Sequence, residues 1–244
     1  MFIRTIRAER MKLRRSPVWL AFFALPILPA VMGTFNYQMN IEILQDKWYS
    51  LWTQHTLFSC YFFIPAVIGV YCSYLWRLEH THYNWNAAMS APVRVGYIYL
   101  AKLIMVSTMV ILTQVWTGFL FILSGKLIGL DNPIPPELFS WLFYGALGGI
   151  VISALQLFIS LVIRSFAIPV GMALVGGIAG LAALAKGYGI WFPYSLISLG
   201  MHGNGPADEM QYSSGQLIIS CLLFTGFFIL LAIIWLGKRD VKTV

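Results

Sequence analysis

Three groups of residues have types and spacings with chemical potential. Glu79, His80 and His82 place a carboxylate beside two imidazoles, Ser124-Gly125-Lys126-Leu127 has the outline of a phosphate loop, and Cys60, Cys72 and Cys221 supply thiols. None of these completes a reactive site. Zinc sites on helices favour ligands at i and i+4, and a lone His-x-His beside a glutamate lacks the remaining ligands, so no metal is expected. The stretch 124–127 lacks the first glycine and the hydroxyl residue of a P-loop, so the chain is read as binding no cofactor and hydrolysing no ATP on its own. The cysteines lie in apolar windows without paired spacing and are read as packing residues. No catalytic residue is assigned.

The elements that must carry these groups are membrane helices. Of 244 residues 59% are hydrophobic and 10% charged, with a mean hydropathy of +0.76. Seven uncharged windows exceed the roughly 18 residues at which a spanning helix is considered: 16–41, 48–76, 103–125, 138–163, 165–185, 187–207 and 210–237. A transmembrane β-barrel would alternate apolar and polar residues in short segments, whereas these windows are continuously apolar. The window 187–207 is a poor helix because it holds Pro193, Pro206 and several glycines. Its Tyr188, Trp191, Phe192 and Tyr194 suit the headgroup level, where amphipathic rings settle. Six spans are therefore expected, at about 17–35, 56–76, 103–125, 138–163, 165–185 and 217–236, with an outer-face segment at 186–214.

An even number of spans puts both termini on one side. That side then carries 13 of the 16 Lys and Arg and a net charge of +10, and the other carries −3, within a total of +7. The positive-inside rule assigns both termini to the cytoplasm, so the basic total reflects topology and not a nucleic-acid partner. Residues 1–16 place Phe2, Ile3, Ile6 and Leu13 on one helical arc among basic residues, which predicts an interfacial helix held by apolar insertion and anionic lipid. Pro26 and Pro29 interrupt the apolar run that follows and no small-x-small cleavage site succeeds it, so this segment is read as retained.

Within those six span limits there is no ionisable side chain, which argues against proton relays and acidic or histidine intramembrane catalysis. Gln114 and Gln156 are the most polar residues inside them. They would contact substrate in a central passage or form interhelical hydrogen bonds. Gly176-x-x-x-Gly180 predicts close packing of span five on another helix. Pro26, Pro29 and Pro65 should bend spans one and two, as hinges or as fixed kinks.

The one long loop on the basic side, residues 77–102, is rich in aromatic and apolar residues and predicts a short amphipathic helix ended at Ser90-Ala91-Pro92, suited to docking a partner protein. Lys12-Leu13-Arg14-Arg15-Ser16, then Glu79-His80, Trp85, Ala91-Pro92 and Leu100-Ala101-Lys102, follow an order that resembles the ABC-2 type transporter permeases. Within them the chain looks most like the permease subunits of lantibiotic immunity transporters.

That resemblance implies an all-α, type V exporter-like transmembrane domain of six helices with an interfacial N-terminal helix. It implies that the N-terminal helix and the loop after span two contact a separate P-loop ATPase, which binds ATP and Mg and is present in two copies. Glu79, His80, Trp85 and Asn86 are the matching coupling positions, with Arg164 and Ser165 as a second contact. It further implies a second permease, identical or homologous, and short re-entrant helices before span six. The expected function is the ATP-driven removal of a lantibiotic or similar cationic antimicrobial peptide from the bacterial cytoplasmic membrane, as self-protection. The −3 outer side would attract such a peptide, although topology alone explains that charge. Export of another drug or lipid-like substrate, a non-transporting adaptor or sensor docking through the same loop, and a membrane enzyme built on Glu79, His80 and His82 are the alternatives.

Overall fold

The computed structural model describes residues 1–80, 94–203, 205 and 212–238. Among these residues there is no strand, and six helices are long and apolar enough to cross a membrane. Helix α1 (Phe2–Leu13) precedes them. The first span is α2 (Val18–Ala24) with α3 (Ile27–Met39), and the second is α4 (Trp48–Phe58), a π-helical stretch Ser59–Phe63 and α5 (Ile64–His80). Then follow α6 (Val95–Leu127), α7 (Leu138–Val162), α8 (Ala167–Ala185), the short α9 (Leu196–Gly200) and α10 (Ser214–Lys238).

The prolines act at different strengths. Pro26 caps α3 and parts it from α2, as expected of a residue without an N–H for the preceding turn. Pro29 lies in the first turn of α3, where the N–H has no intrahelical partner in any case, so it bends nothing. Pro65 cannot donate to the Tyr61 carbonyl four residues earlier, and the helix widens to π geometry just before it. Gly177 of α8 sits against that carbonyl, where a Cβ would overlap it.

The helices run past the span limits expected from the sequence. The second begins at Trp48 and the third at Val95, so the described ends of the 77–102 loop, Arg77–His80 and Val95–Lys102, belong to α5 and α6. His55, Glu79 and Lys102, which the expected span limits left outside, are therefore helical and buried. His55 Nε2 lies 3.0 Å from Thr34 Oγ1, and its backbone meets Gly33 at a distance only glycine allows. The expectation of spans free of ionisable groups fails for this reason: side chains at helix ends turn inward where they find partners.

The segment after α8 does not cross. It forms a 3₁₀ turn at Gly189–Trp191 and then α9. Gly148 of α7 admits the α9 backbone, with Ile197 N 2.5 Å from where a Cβ would stand. Tyr188 and Trp191 are exposed, whereas Tyr194, expected beside them at headgroup level, turns inward and is buried. At the same end an aromatic cluster closes the core. Trp52 stacks on Trp141 at 5.1 Å, Phe121 meets Trp52 edge-on at 4.8 Å, and Trp52 Nε1 donates to Met201 O at 2.7 Å. Large apolar side chains of α8 and α10, such as Val175, Leu222 and Leu223, point away from the bundle, as lipid-facing or partner-facing surfaces do.

Candidate coupling site at the basic end

α1, the end of α5 and the start of α6 meet at one end of the bundle. Phe2 packs its ring on Tyr97 at 5.3 Å. Two turns further along α1, Glu9 faces inward and is 2% exposed, against Glu79 of α5 at 4% and Lys102 of α6 at 0%. Lys102 Nζ donates to Glu9 Oε2 and to Glu79 Oε1, each at 2.8 Å, and to the Leu75 carbonyl at 3.2 Å. The three protons of the ammonium thus have three acceptors, and the Trp76 ring covers it at 5.0 Å. Lys12 completes a quartet by pairing with Glu9 Oε1 at 2.6 Å and with Glu79.

Two carboxylates and two ammoniums cancel, which is what allows the group to sit away from water. Burial alone would lower the pKa of Lys12, but Glu9 and Glu79 outweigh it and hold that ammonium above its ordinary 10.5. A quartet of this kind is weak evidence for net stability, since apolar replacements can do as well. Its consequence is geometric. Removing one member strands a buried charge at a cost of roughly 3–5 kcal/mol, so α1 cannot shift relative to α5 and α6 without disrupting the ion pairs.

The turn between α7 and α8 lies at the same end. Arg77 of α5 sits over Phe166 at 5.8 Å, and His80 Nε2 is 3.4 Å from the Ser160 carbonyl. Arg164 and Ser165 are exposed in that turn, and Ser165 Oγ accepts from the Ile168 N–H at 3.4 Å. Four of the six residues matched to ATPase coupling therefore come together: Glu79 enclosed, His80 half-buried, Arg164 and Ser165 outward. Trp85 and Asn86 lie outside the described residues. The carboxylates and ammoniums of the quartet are occupied by one another.

The two glutamines have separate neighbours. In the amide orientation that satisfies both its oxygen and its nitrogen, Gln156 accepts from Tyr194 OH at 2.6 Å and from the Ala173 N–H at 3.2 Å, and donates to Pro169 O at 3.1 Å. It joins α7 to α8 and to the segment before α9. Gln114 donates to Met201 Sδ at 3.5 Å, while its Oε1, like Thr117 Oγ1 one turn away, is buried without a hydrogen-bond partner among the described residues. Gly176 and Gly180 pack on Tyr194 and Ser195 instead of on a long helix, and Gly177 between them makes the contact with the second span.

Reading the sequence assigned no site role to Glu9, Lys12 or Lys102, although Lys12 and Lys102 stand in the motif order that carries the resemblance. A faint signal existed in Glu9, the one acid among the basic residues of α1. Gly125 of the phosphate-loop outline is a packing residue, since a Cβ there would overlap the Trp48 ring.

Comparison with protein families matches residues 5–180 to the model described as ABC-2 family transporter protein. That stretch runs from α1 into α8 and includes the whole quartet. No curated protein and no solved structure matches the chain.

Proposed function

This chain belongs to the ABC-2 family of transporter proteins, and from that premise we propose that it is the permease subunit of an exporter driven by a separate P-loop ATPase. The family carries an ATPase partner as its general arrangement. The finer reading is that two copies of the ATPase serve this chain and a second permease, identical or homologous, in the bacterial cytoplasmic membrane. Both termini face the cytoplasm, as the lopsided distribution of Lys and Arg favours. ATP and Mg belong to the partner.

One observation carries the coupling role: the quartet ties α1 to α5 and α6 at the end where the Arg164–Ser165 turn also lies. A push on α1, on the residues joining α5 to α6, or on that turn would be delivered to the second and third spans as a rigid displacement. Glu79 then acts by fixing the geometry from within, with His80, Trp85, Asn86, Arg164 and Ser165 as the surface toward the ATPase. Gln114, whose orphaned oxygen calls for a donor, is the stronger of the two passage residues, and Gln156 holds helices together. The substrate class proposed is a cationic antimicrobial peptide of the lantibiotic kind, supported by the resemblance of the 77–102 region and by the −3 of the opposite side.

The test is to isolate the chain from native membrane, identify its partners, and measure ATP hydrolysis in lipid with and without candidate peptides. A copurifying P-loop ATPase stimulated by a cationic peptide is the expected result. Absence of any such ATPase would leave the adaptor reading in its place, and stimulation by apolar drugs or lipids alone would replace the peptide as substrate.

A further inference from the structure

The first and second spans are each interrupted, and by the same residue type. Pro26 parts α2 from α3, and Pro65 follows the π stretch Ser59–Phe63 that parts α4 from α5. In both places the proline withholds the donor that a carbonyl four residues earlier would meet, Phe22 O in the first span and Tyr61 O in the second. The two breaks stand at one level. α3 and α4 run antiparallel, with Gly33 against the His55 backbone, Thr34 Oγ1 3.0 Å from His55 Nε2, and Asn36 Nδ2 donating to Gln54 Oε1 at 2.6 Å. Carried on toward the quartet end, that register brings Pro26 beside about residues 62–64, and past the breaks α2 lies along α5.

The halves on either side of that level are held differently. On the quartet side, Trp19 Nε1 of α2 donates to Leu13 O at 3.0 Å, and Trp116 Nε1 of α6 donates to Phe23 O at 3.3 Å. Tyr71 OH of α5 lies 3.0 Å from Thr113 Oγ1 of α6, Ser73 Oγ lies 3.4 Å from Ser160 Oγ of α7, and the quartet adds Glu79 to Lys102. On the far side, the side-chain hydrogen bonds of α3 and α4 among the described residues go to each other or to connecting segments. Trp48 Nε1 donates to Asn132 O at 2.9 Å, Tyr49 OH to Glu137 Oε2 at 3.1 Å, Trp52 Nε1 to Met201 O at 2.7 Å and Thr56 Oγ1 to Gly203 O at 3.1 Å. Toward α6 this pair presents rings instead: Trp48, Trp52 and His55 stand 5.2, 4.8 and 5.6 Å from Phe121. Ring pairs hold over centroid separations of about 4.5–7 Å, so they allow a tilt that a buried ion pair resists. Gly177 of α8 presents no side chain to the π stretch.

We propose that α3, α4 and the residues joining them pivot as one body on two joints at the same depth, Leu25–Pro26 and Ser59–Phe63, while α2 and α5 stay fixed to α6. The bends of the first two spans are then hinges. Hinges lie where a few element-terminal residues absorb the change in dihedral angles, and π stretches recur at functional positions of this kind. The 11 residues of α4 span about 16 Å, so a tilt of about 12° carries the far end about 3 Å. The inference rests on the exporter reading for the force that drives the pivot, whereas the joints belong to the fold itself.

The test measures spin-label distances in the complex purified from membrane into phosphatidylcholine nanodiscs, with one labelled copy per complex obtained by co-expression with excess unlabelled chain. The native cysteines are buried and stay unlabelled. Gln38→Cys with Lys126→Cys reads α3 against α6 beyond the joints, and Leu20→Cys with Ile104→Cys reads α2 against α6 before them, all four positions being exposed. Without nucleotide the first pair should give a distribution broader than the second by about 3 Å. Pro26→Ala with Pro65→Ala restores both donors and should narrow the first distribution by about half or more, with melting unchanged or raised. Equal widths of the two pairs would overturn the joints, and that comparison stands even if the proline variant does not fold. So would a first pair that keeps its width in the folded proline variant. ATP, Mg and vanadate should then move the mean of the first pair by about 3 Å and that of the second by less than about 1 Å. Equal movement of both, or hydrolysis with neither moved, removes the pivot and leaves the exporter reading. Absence of any ATPase beside a broad first pair removes the exporter reading and leaves the joints.

Discussion

Lys102 Nζ donates to Glu79 Oε1 at 2.8 Å, joining the helix that ends at His80 to the helix that begins at Val95. The same ammonium reaches Glu9, which brings the N-terminal helix into the join. A chain that receives force at this end needs such a join, because helices that merely abut through apolar side chains can slide at little cost. Buried ion pairs resist sliding, since a displaced charge loses its partner without regaining water.

Lys102→Met therefore removes the common partner of two buried carboxylates and should lower stability by roughly 3–5 kcal/mol, read as earlier thermal unfolding in detergent or nanodiscs. Glu9→Gln in the Lys102→Met background should recover most of the loss, because Glu79 and Lys12 then balance one another. The interaction energies are expected to be non-additive by about 0.5–3 kcal/mol. Equal losses from every single and combined variant would show that Lys102 contributes only its packing.

The alkaline limit of the α1 docking follows from Lys12. Its folded pKa lies above the ordinary 10.5, so the stabilisation it gives is fully present below 10.5 and is lost as pH rises through the folded value. Hydrogen exchange over Phe2–Leu13 should accelerate in that alkaline window. Lys12→Arg should move the acceleration to higher pH, because guanidinium keeps its proton. Lys12→Met should exchange faster already at neutral pH, with no further alkaline step from this position.

The six spans and the exclusion of the segment after α8 were legible because uncharged length and proline content report directly on what a bilayer accepts. The quartet was not. Glu79 and Lys102 stand at the margins of apolar windows and Glu9 lies within the basic N-terminal segment, far from both in sequence, and such charges look solvated until folding brings their partners. The glycine pattern misled in a smaller way. The spacing of Gly176 and Gly180 predicted a helix neighbour, but those two admit Tyr194 and Ser195, and Gly177 meets the second span because Pro65 had already reshaped it. Periodicity identifies a close approach without saying what approaches.

Gly177→Val tests that local chain of causes. The new side chain would overlap the Tyr61 carbonyl, and overpacking of this kind should cost about 1–3 kcal/mol. Gly171→Ala, on the same helix with nothing within 4 Å of the added carbon, should be neutral or stabilising by up to about 1 kcal/mol. Paired thermal melts decide it, and similar effects of the two substitutions would remove the special status of the contact.

Gln114 and Gln156 should separate by the same measurement combined with transport. Gln156 satisfies both its oxygen and its nitrogen across α7, α8 and Tyr194, so Gln156→Leu should destabilise by about 0.6–1.7 kcal/mol, the range of interhelical hydrogen bonds in membranes. Gln114 has an oxygen with no partner among the described residues, so Gln114→Leu removes an unmet group and should leave stability unchanged or slightly raised. If that oxygen meets substrate in passage, the same variant lowers peptide-stimulated ATP hydrolysis and peptide resistance while melting as the wild type does. Loss of stability without a specific transport defect would make Gln114 a packing residue, and the passage would then have to run along another face of the bundle.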